Sequence, residues 1–505
     1  MTGCKKLSLI LMVVMTLMVL MGTGCVPSRE QYFGDIHRRR MRSFEDWRER
    51  RKRSGLEKPR LEGVLSLRDA VNITLAYNTQ IQAVLQEKER ARGRTVAAYS
   101  EALPKLNLSA GYTRLDEVPT LDVGVDTIEM GDEDNYSCRV EISQPLYKGG
   151  SMAIAQRAAQ IYSYLSDENV RRSIEEAVFG GTKAYFDARL AQHLIKVQEA
   201  ALQSAQQHLS DVKSRFEHGT ATEYDVLRAR VDVSNIRADL IEQRNARDKA
   251  VTRLMRMMGA SQRSQVKLIT DMKFVPVSPD FAESVEEAFA NRPDIYQSEL
   301  SLDLQREQLK EARSRYWPRI QAYFWNLWSK PDPHESNRIE WGDQWQAGVE
   351  LNWPLFDGMA REGRIIEQKA LLRQNQILLS DAEEQAIEEV REAMLELQNA
   401  RKLVESQELN LERADRALEL VQAGYKQGVN TEVEVLDGRA ALTRARGLYY
   451  QALHRHTIAR IVLQKAKGIL GPPPGNTKEP EESVGPEQIM KIDPRIEEKS
   501  DGAEQ

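Results

Sequence analysis

With 505 residues, a net charge of −5 and 29% charged against 7% aromatic residues, the chain has the composition of long helices that face water. Acidic and basic side chains nearly balance, so we predict no nucleic-acid partner. Two of the three cysteines precede residue 26 and only Cys138 lies in the body, which excludes a disulfide within the body. Seven scattered histidines without paired Cys or His spacing predict neither a metal site nor a cofactor.

The first 24 residues are a predicted signal peptide. Two lysines precede an apolar run over 7–21, and the small residues of 22–24 lead directly to Cys25. This arrangement resembles the cleavage box of bacterial lipoproteins, in which Cys25 would be the lipidated first residue of the mature protein. An ordinary signal peptide with a chance cysteine is the alternative. Val26 stands where an aspartate often retains lipoproteins at the inner membrane, so we expect the outer membrane.

A basic linker is predicted over 25–64. Arginine and lysine dominate it from Arg38 to Arg60. Because this segment follows an export signal, a role as a nucleic-acid-binding arm is excluded. Two interpretations stay open: a solvated linker, or contact with anionic phospholipid near the lipid anchor.

The rest of the chain contains one unit twice. The block Gln144–Gly149 (Gln-Pro-Leu-Tyr-Lys-Gly) matches Trp353–Gly358 (Trp-Pro-Leu-Phe-Asp-Gly), and Leu103–Leu106 matches Trp317–Ile320. Two further pairs of matching blocks keep the same order along the chain. We therefore predict repeat 1 at 65–262 and repeat 2 at 278–470, followed by a disordered tail at 471–505 that is rich in Pro, Glu, Lys and Gly.

Each repeat ends in a predicted antiparallel helical hairpin. No proline occurs between Pro354 and Pro472, and apolar residues recur at steps of four and three from Ala386 to Tyr425. Such a pattern is typical of a helix buried along a narrow seam against other helices. The first arm has about 66 residues, or roughly 100 Å. Gly219 and Gly428 mark the turns of the two hairpins, where we expect left-handed backbone geometry.

Two strands per repeat are predicted from alternation of apolar and polar residues. They lie at 106–113, 136–143, 320–328 and 344–353, and a loop with eight acidic residues connects the first two. Tryptophan and tyrosine near the strand ends, together with the export signal, favour contact between the apolar face and lipid. The strands of soluble β-sandwiches show the same alternation, so the pattern alone does not prove contact with a membrane. The predicted lipid-facing residues are Tyr136, Val140, Ile142, Trp345, Val349 and Leu351.

Four strands cannot close a membrane barrel. The smallest spanning barrels have about eight strands, and an open sheet edge in lipid leaves backbone groups unpaired at several kcal/mol each. The chain must therefore oligomerise to complete a barrel, or the sheet is not in a membrane.

This order of blocks resembles the TolC-like outer-membrane efflux protein family, lipoprotein type. The turns that lead from strand to helix carry the resemblance, as do the segments Tyr425–Gly428, Asp225–Leu227 and Glu434–Leu436. It implies a mixed α+β membrane protein built from a duplicated strand-strand-long-helix-helix unit. It also implies a homotrimer, in which a twelve-stranded β-barrel in the outer membrane continues as a periplasmic α-helical barrel.

The resemblance further implies partners and a function. Such channels dock with a periplasmic adaptor (membrane fusion) protein and an inner-membrane pump of RND or ABC type. The leading function is a passive exit duct for small toxic molecules, and the duct of a type I protein secretion system is the alternative. A periplasmic coiled-coil scaffold, a different class, leaves the strands unexplained. No nucleophile–base pair, metal cluster or phosphate-binding glycine loop is apparent, so we predict no enzyme.

In that family the hairpin turns form the periplasmic entrance. The matching positions at which closure is decided are Asp225, Tyr425, Glu434 and Asp437, and the turns at Gly219 and Gly428 are where the adaptor docks. Asn430 stands where relatives often have an arginine, so a closing ion pair from that position is in question. Arg228, the first-repeat equivalent of Asp437, could pair with it across neighbouring hairpins.

Helix capping is the alternative role for two of these carboxylates. Thr222 to Asp225 and Thr431 to Glu434 have the spacing of capping boxes or close variants, in which the acidic side chain satisfies amides at the helix start. Asp437 lies one turn deeper, too far to cap, which favours a position in the pore, with exposure to bulk solvent as the alternative.

We predict that labelled palmitate enters the wild-type protein and is lost from Cys25→Ser, because acylation requires the thiol of that cysteine. Gel autoradiography of cells grown with the label measures this. Equal labelling of both proteins would contradict the assignment.

Overall fold

The computed structural model describes residues 38, 58–118, 120–123, 126–129, 131–335 and 339–473. The predicted signal peptide, Cys25 and most of the predicted linker and tail lie outside these residues. The chain divides into two units, Met1–Pro59 and Arg60–Gln505, and every element named below belongs to the second.

Among the described residues, the first half of this unit contains five strands and four helices. In chain order they are β1 (Glu62–Leu65), α1 (Leu67–Tyr77), α2 (Thr79–Ser100), β2 (Lys105–Arg114), β3 (Thr120–Val123), β4 (Asp126–Glu129), β5 (Asp134–Lys148), α3 (Ser151–Glu217) and α4 (Glu223–Met257). The second half contains β6 (Gln265–Leu268), α5 (Phe281–Asn291), α6 (Pro293–Ser314), β7 (Arg319–Lys330), β8 (Gly342–Asn352), α7 (Ala360–Lys426) and α8 (Glu432–Ala466).

The two hairpins, α3–α4 and α7–α8, confirm the predicted helical arms. Helices α3 and α7 have 67 residues each, and α4 and α8 have 35 each. None of the described helices is apolar enough over a sufficient length to cross a membrane. On α7 the predicted seam is fully buried from Ala386 to Val404, where α5 and α8 cover it, and only partly buried from Leu411 to Tyr425. The half nearer the turn is therefore less buried within one chain, although α8 still contacts it where Leu418 lies against Gly438.

The four predicted strands form one antiparallel sheet in the order β2-β5-β7-β8. Opposite residues in a ladder share a face. The pairs Tyr112–Tyr136 and Val140–Leu108 therefore place the predicted apolar residues of β5 on one face with those of β2. The β5–β7 and β7–β8 registers add Trp345, Val349 and Leu351 to that face. Strands β2 and β8 are the edges of this sheet.

The opposite face is polar except along β7. There the ring of Trp325 lies under the Arg139 guanidinium, 4.1 Å from its centroid. Tyr323 covers Gly348, whose added Cβ would meet the phenol oxygen at 2.8 Å. Because Gly348 has no side chain, the ring can lie flat on the sheet.

Two small ladders were not predicted. Strands β3 and β4 form a hairpin inside the acidic segment that was expected to be a loop. Strands β1 and β6 pair in parallel and join the start of repeat 1 to the segment that follows it. The buried Tyr185 hydroxyl donates to the Leu65 carbonyl (3.0 Å) and accepts from the Thr270 amide (2.9 Å), which fixes this ladder to α3.

We predict that Val349→Arg impairs assembly while Gln346→Arg is tolerated. Val349 lies on the apolar face, where an arginine at mid-membrane depth costs roughly 2–4 kcal/mol, and Gln346 lies on the polar face of the same strand. The yield of correctly assembled protein in the outer-membrane fraction measures both. Equal yields would mean that the apolar face does not meet lipid.

Candidate functional site at the hairpin turns

Both hairpins turn with the same backbone geometry. Gly219 has φ +76° and Gly428 has φ +75°, the left-handed conformation expected of them. The Thr220 amide donates to the Arg215 carbonyl (2.8 Å), and the Val429 amide donates to the Gly424 carbonyl (2.9 Å). These are the six-residue bonds of Schellman turns, which satisfy the last carbonyls of α3 and α7. The turns are therefore stiff ends of the long helices.

Helices α4 and α8 start in capping boxes, which confirms the predicted capping. At the start of α4, the Thr222 amide donates to Asp225 Oδ2 at 2.9 Å. The Thr431 amide donates to Glu434 Oε2 at 2.8 Å. These hydrogen bonds stabilise the ionised carboxylates, so the pKa of Asp225 lies below its usual range. A hydrogen bond from the Asn430 side chain (3.0 Å) and the capping bonds lower the pKa of Glu434 likewise.

Asn430 is held inside its own turn. A Cβ added to Gly424 would lie 1.8 Å from Asn430 Oδ1, so the asparagine side chain occupies the space that Gly424 leaves. Its amide nitrogen bonds Glu434. The side chain thus contributes to the cap of α8.

A cluster of polar side chains lies where the two hairpins meet near their turns. We call it the tip cluster and define it as His208, Arg215, Asp225, Tyr425 and Glu432. The Tyr425 ring lies under the Arg215 guanidinium at 4.5 Å and tilts toward the His208 ring at 6.3 Å. Tyr425 therefore joins α7 to α3 of the other hairpin, and burial raises its pKa.

His208 and Glu432 are the most enclosed members of the tip cluster. His208 Nε2 approaches Glu432 Oε1 to 3.4 Å without a hydrogen bond, and the side chains are only 4% and 12% exposed. Burial lowers the pKa of His208 to about 4, so the ring is neutral at neutral pH. Burial, and then the charge of Asp225, raise the pKa of Glu432. Helices α3 and α8 thus meet through a neutral imidazole and a carboxyl group whose ionisation is opposed by burial.

The predicted pair between Arg228 and Asp437 is not formed within one chain. Arg228 lies one turn past Asp225 and acts electrostatically on Asp225 and Glu432. Asp437 is exposed, and no ion pair joins it to Arg228 in the part of the chain that the structure describes.

The sequence prediction missed His208, Arg215 and Glu432. One signal was available, because His208 precedes Arg215 by seven residues, or two helical turns, and so shares its face of α3. Among the described residues no group of three or more His, Cys, Asp or Glu side chains is placed to hold a metal ion.

Comparison with known proteins identifies relatives over most of the chain. The family model described as outer membrane efflux protein matches residues 70–260 and 284–468. The alkaline protease secretion protein AprF of Pseudomonas aeruginosa is 23% identical, over 80% of this chain and 85% of its own. The outer membrane protein TolC of Escherichia coli is 21% identical, over 81% and 85%.

Solved structures agree with this fold. The outer membrane protein VceC of Vibrio cholerae superposes with a TM-score of 0.68 at 16% identity, covering 80% of this chain and 96% of its own. The CmeC outer membrane channel of Campylobacter jejuni gives 0.68 at 16%, covering 84% and 88%. The chain belongs to the outer membrane efflux protein family.

Proposed function

We propose that three copies of the chain form the exit duct of a tripartite efflux system in the outer membrane. The observation that carries this proposal is the four-stranded sheet with one apolar face and two unpaired edges. Three such sheets give twelve strands, which is enough to close a barrel and to pair every edge. The apolar face meets lipid and the polar face lines the pore.

The long helices continue the duct into the periplasm. At 67 residues and about 1.5 Å per residue, α3 and α7 each reach roughly 100 Å. With α4 and α8 they supply four helices per chain, or twelve per trimer, around a tunnel. Acylation of Cys25 anchors the chain to the membrane that holds its barrel.

The hairpin turns are the entrance and the docking site for a periplasmic adaptor, which couples the duct to an inner-membrane pump. Asp225 and Glu434 cap the first turns of α4 and α8, and the Tyr425 ring of α7 packs under Arg215 of α3. Asp437 is exposed. In a trimer it forms a ring of three carboxylates at the entrance, facing Arg228 of an adjacent hairpin. Such a ring attracts cations.

Small toxic molecules are the proposed cargo, with a pump of RND type. A relative named as a probable efflux pump outer membrane protein, SepC of Pseudomonas putida, supports this choice. The relative named for alkaline protease secretion supports the alternative, a polypeptide cargo driven by an ABC pump. Accumulation of a fluorescent dye in cells lacking the chain favours the first cargo. Loss of a secreted protein from the medium favours the second.

Gly428→Val should abolish export while trimers still form. A β-branched side chain is strained at φ +75° and distorts the turn on which the adaptor docks. Dye accumulation and unheated gel migration measure the two effects. Gly363→Val is the control, because Gly363 lies in α7 with open space around it and an ordinary φ. Normal export by Gly428→Val would count against docking at the turns.

The purified protein should migrate as a trimer without heating and conduct in planar bilayers with a preference for cations. The variant Glu434→Gln with Asp437→Asn should lower that preference, and added salt should weaken it in wild type. Asp437→Asn alone should raise conductance if Arg228 pairs with it between hairpins. Absence of trimers and pores would overturn the duct, whereas unchanged selectivity in the double variant would remove both carboxylates from the gate.

A further inference from the structure

A cavity of about 420 Å³ lies where the main sheet meets the start of α7. It opens on the polar face of the sheet, since Glu350 shares its face of β8 with Gln346 and Gln321 lies opposite Glu350 in the β7–β8 register. We call its basic lining residues the basic collar, which consists of Lys148, Arg315, Arg319, Arg361 and Arg364. Glu350 and Asp357 are the acidic lining residues, so five positive and two negative side chains leave a net charge of +3.

Both acidic side chains of the cavity already have partners. The Gln321 amide donates to Glu350 Oε2 at 2.9 Å, and Asp357 Oδ2 lies 3.0 Å from Arg361 Nε. Arg361 is only 6% exposed, and its guanidinium lies over the Tyr316 ring at 4.6 Å. Arg361 is therefore a fixed part of the cavity wall.

The other bases leave positive charge unpaired in the cavity. Lys148 and Arg315 form ion pairs with glutamates that do not line it, at 2.9 and 3.0 Å. The side chains of Arg319 and Arg364 are exposed and form no ion pair within the described part of the chain. Helix α7 starts here without a capping side chain, so the positive end of its dipole adds to the same field.

Repeat 1 lacks three of these bases. Helices α3 and α7 start 209 residues apart and α2 and α6 start 214 apart, which defines the equivalent positions. The counterparts of Arg361, Arg364 and Arg315 are Met152, Ala155 and Glu101. Since α3 equals α7 in length and α2 equals α6 without these bases, the fold of the repeat does not require them.

One of the replacements reverses a charge pair. In repeat 1, Glu101 forms an ion pair with Lys105 four residues later, at 3.1 Å. The equivalent residues of repeat 2 are Arg315 and Arg319, two like charges that line one cavity. Like charges at short range repel, and an anion between them would turn that repulsion into two attractions. The charge pattern of repeat 2 therefore fits a bound anion.

We propose that the basic collar binds the phosphate or carboxylate group of a solute on its way through the duct. This rests on the proposed function, in which the polar face of the sheet lines the pore, and it adds a class of cargo: small molecules that carry such a group. A guanidinium suits both anions, because its planar N–H donors can bind two oxygens at once. Three copies of the chain place three collars around the duct.

The collar acts independently of the acidic residues at the hairpin turns. It lies at the first turn of α7, whereas the turn at Gly428 follows the last, 67 residues or roughly 100 Å away. Charges in water are screened over about 8 Å at physiological salt. A cation preference at the entrance is therefore compatible with an anion site at the start of the barrel.

Binding of inorganic pyrophosphate to the purified trimer tests the site, measured by isothermal titration calorimetry at low ionic strength. Arg319→Gln with Arg364→Gln should weaken binding by about tenfold or more, because two charged donors are lost. Arg313→Gln with Lys369→Gln is the matched control. It removes the same charge from exposed positions of α6 and α7 that do not line the cavity, and it should bind as wild type does.

Pyrophosphate should also reduce the current through wild-type and control pores in planar bilayers, and reduce it less in the Arg319→Gln, Arg364→Gln variant. Equal binding by all three proteins, or assembled pores that bind no pyrophosphate, overturns the site. Binding that leaves the current unchanged overturns its position on the duct wall. Tighter binding of short-chain phosphatidylglycerol than of pyrophosphate, lost in the same variant, assigns the collar to lipid and overturns the solute. Absence of trimers and pores contradicts the proposed function instead.

Discussion

Unpaired backbone amides and carbonyls along β2 and β8 are the constraint on which the rest of the architecture depends. In water an edge strand can hydrogen-bond to solvent, but in lipid each unpaired group costs several kcal/mol. An apolar face on a four-stranded sheet is therefore compatible with a membrane only when further strands complete it. The duplication serves the same requirement, because each repeat presents one edge that fits the other.

The sequence predicted those elements whose signal is local. The apolar period from Ala386 to Val404 and the glycine turns depend on residues within a few positions of one another, and both were found as predicted. Alternation over about ten residues located all four strands of the main sheet. At the turns, the spacing from Thr222 to Asp225 was enough to predict a cap, because the capping box is itself a three-residue interval.

Contacts between distant segments were beyond such reasoning. Strands β1 and β6 have four residues each and pair across about two hundred positions, too short for a period to show. The His208–Glu432 contact brings together α3 and α8, and neither residue has a local pattern that names the other. Repeat equivalence matched Arg228 to Asp437, but no local pattern indicates that its charge also acts on Asp225 and Glu432.

The two hairpins of the chain are equal in length. Helices α3 and α7 agree to the residue, as do α4 and α8, whereas the segment between β2 and β5 is longer than that between β7 and β8. Loss of one heptad from α3 alone would raise its turn by about 10 Å above its twin. The hairpin turns can lie at one height, and so present an even surface to a docked protein, only when all the helical arms have the same length. Length changes in one arm are thus tolerable only when the other arm changes with it, while the strand connections are free to diverge.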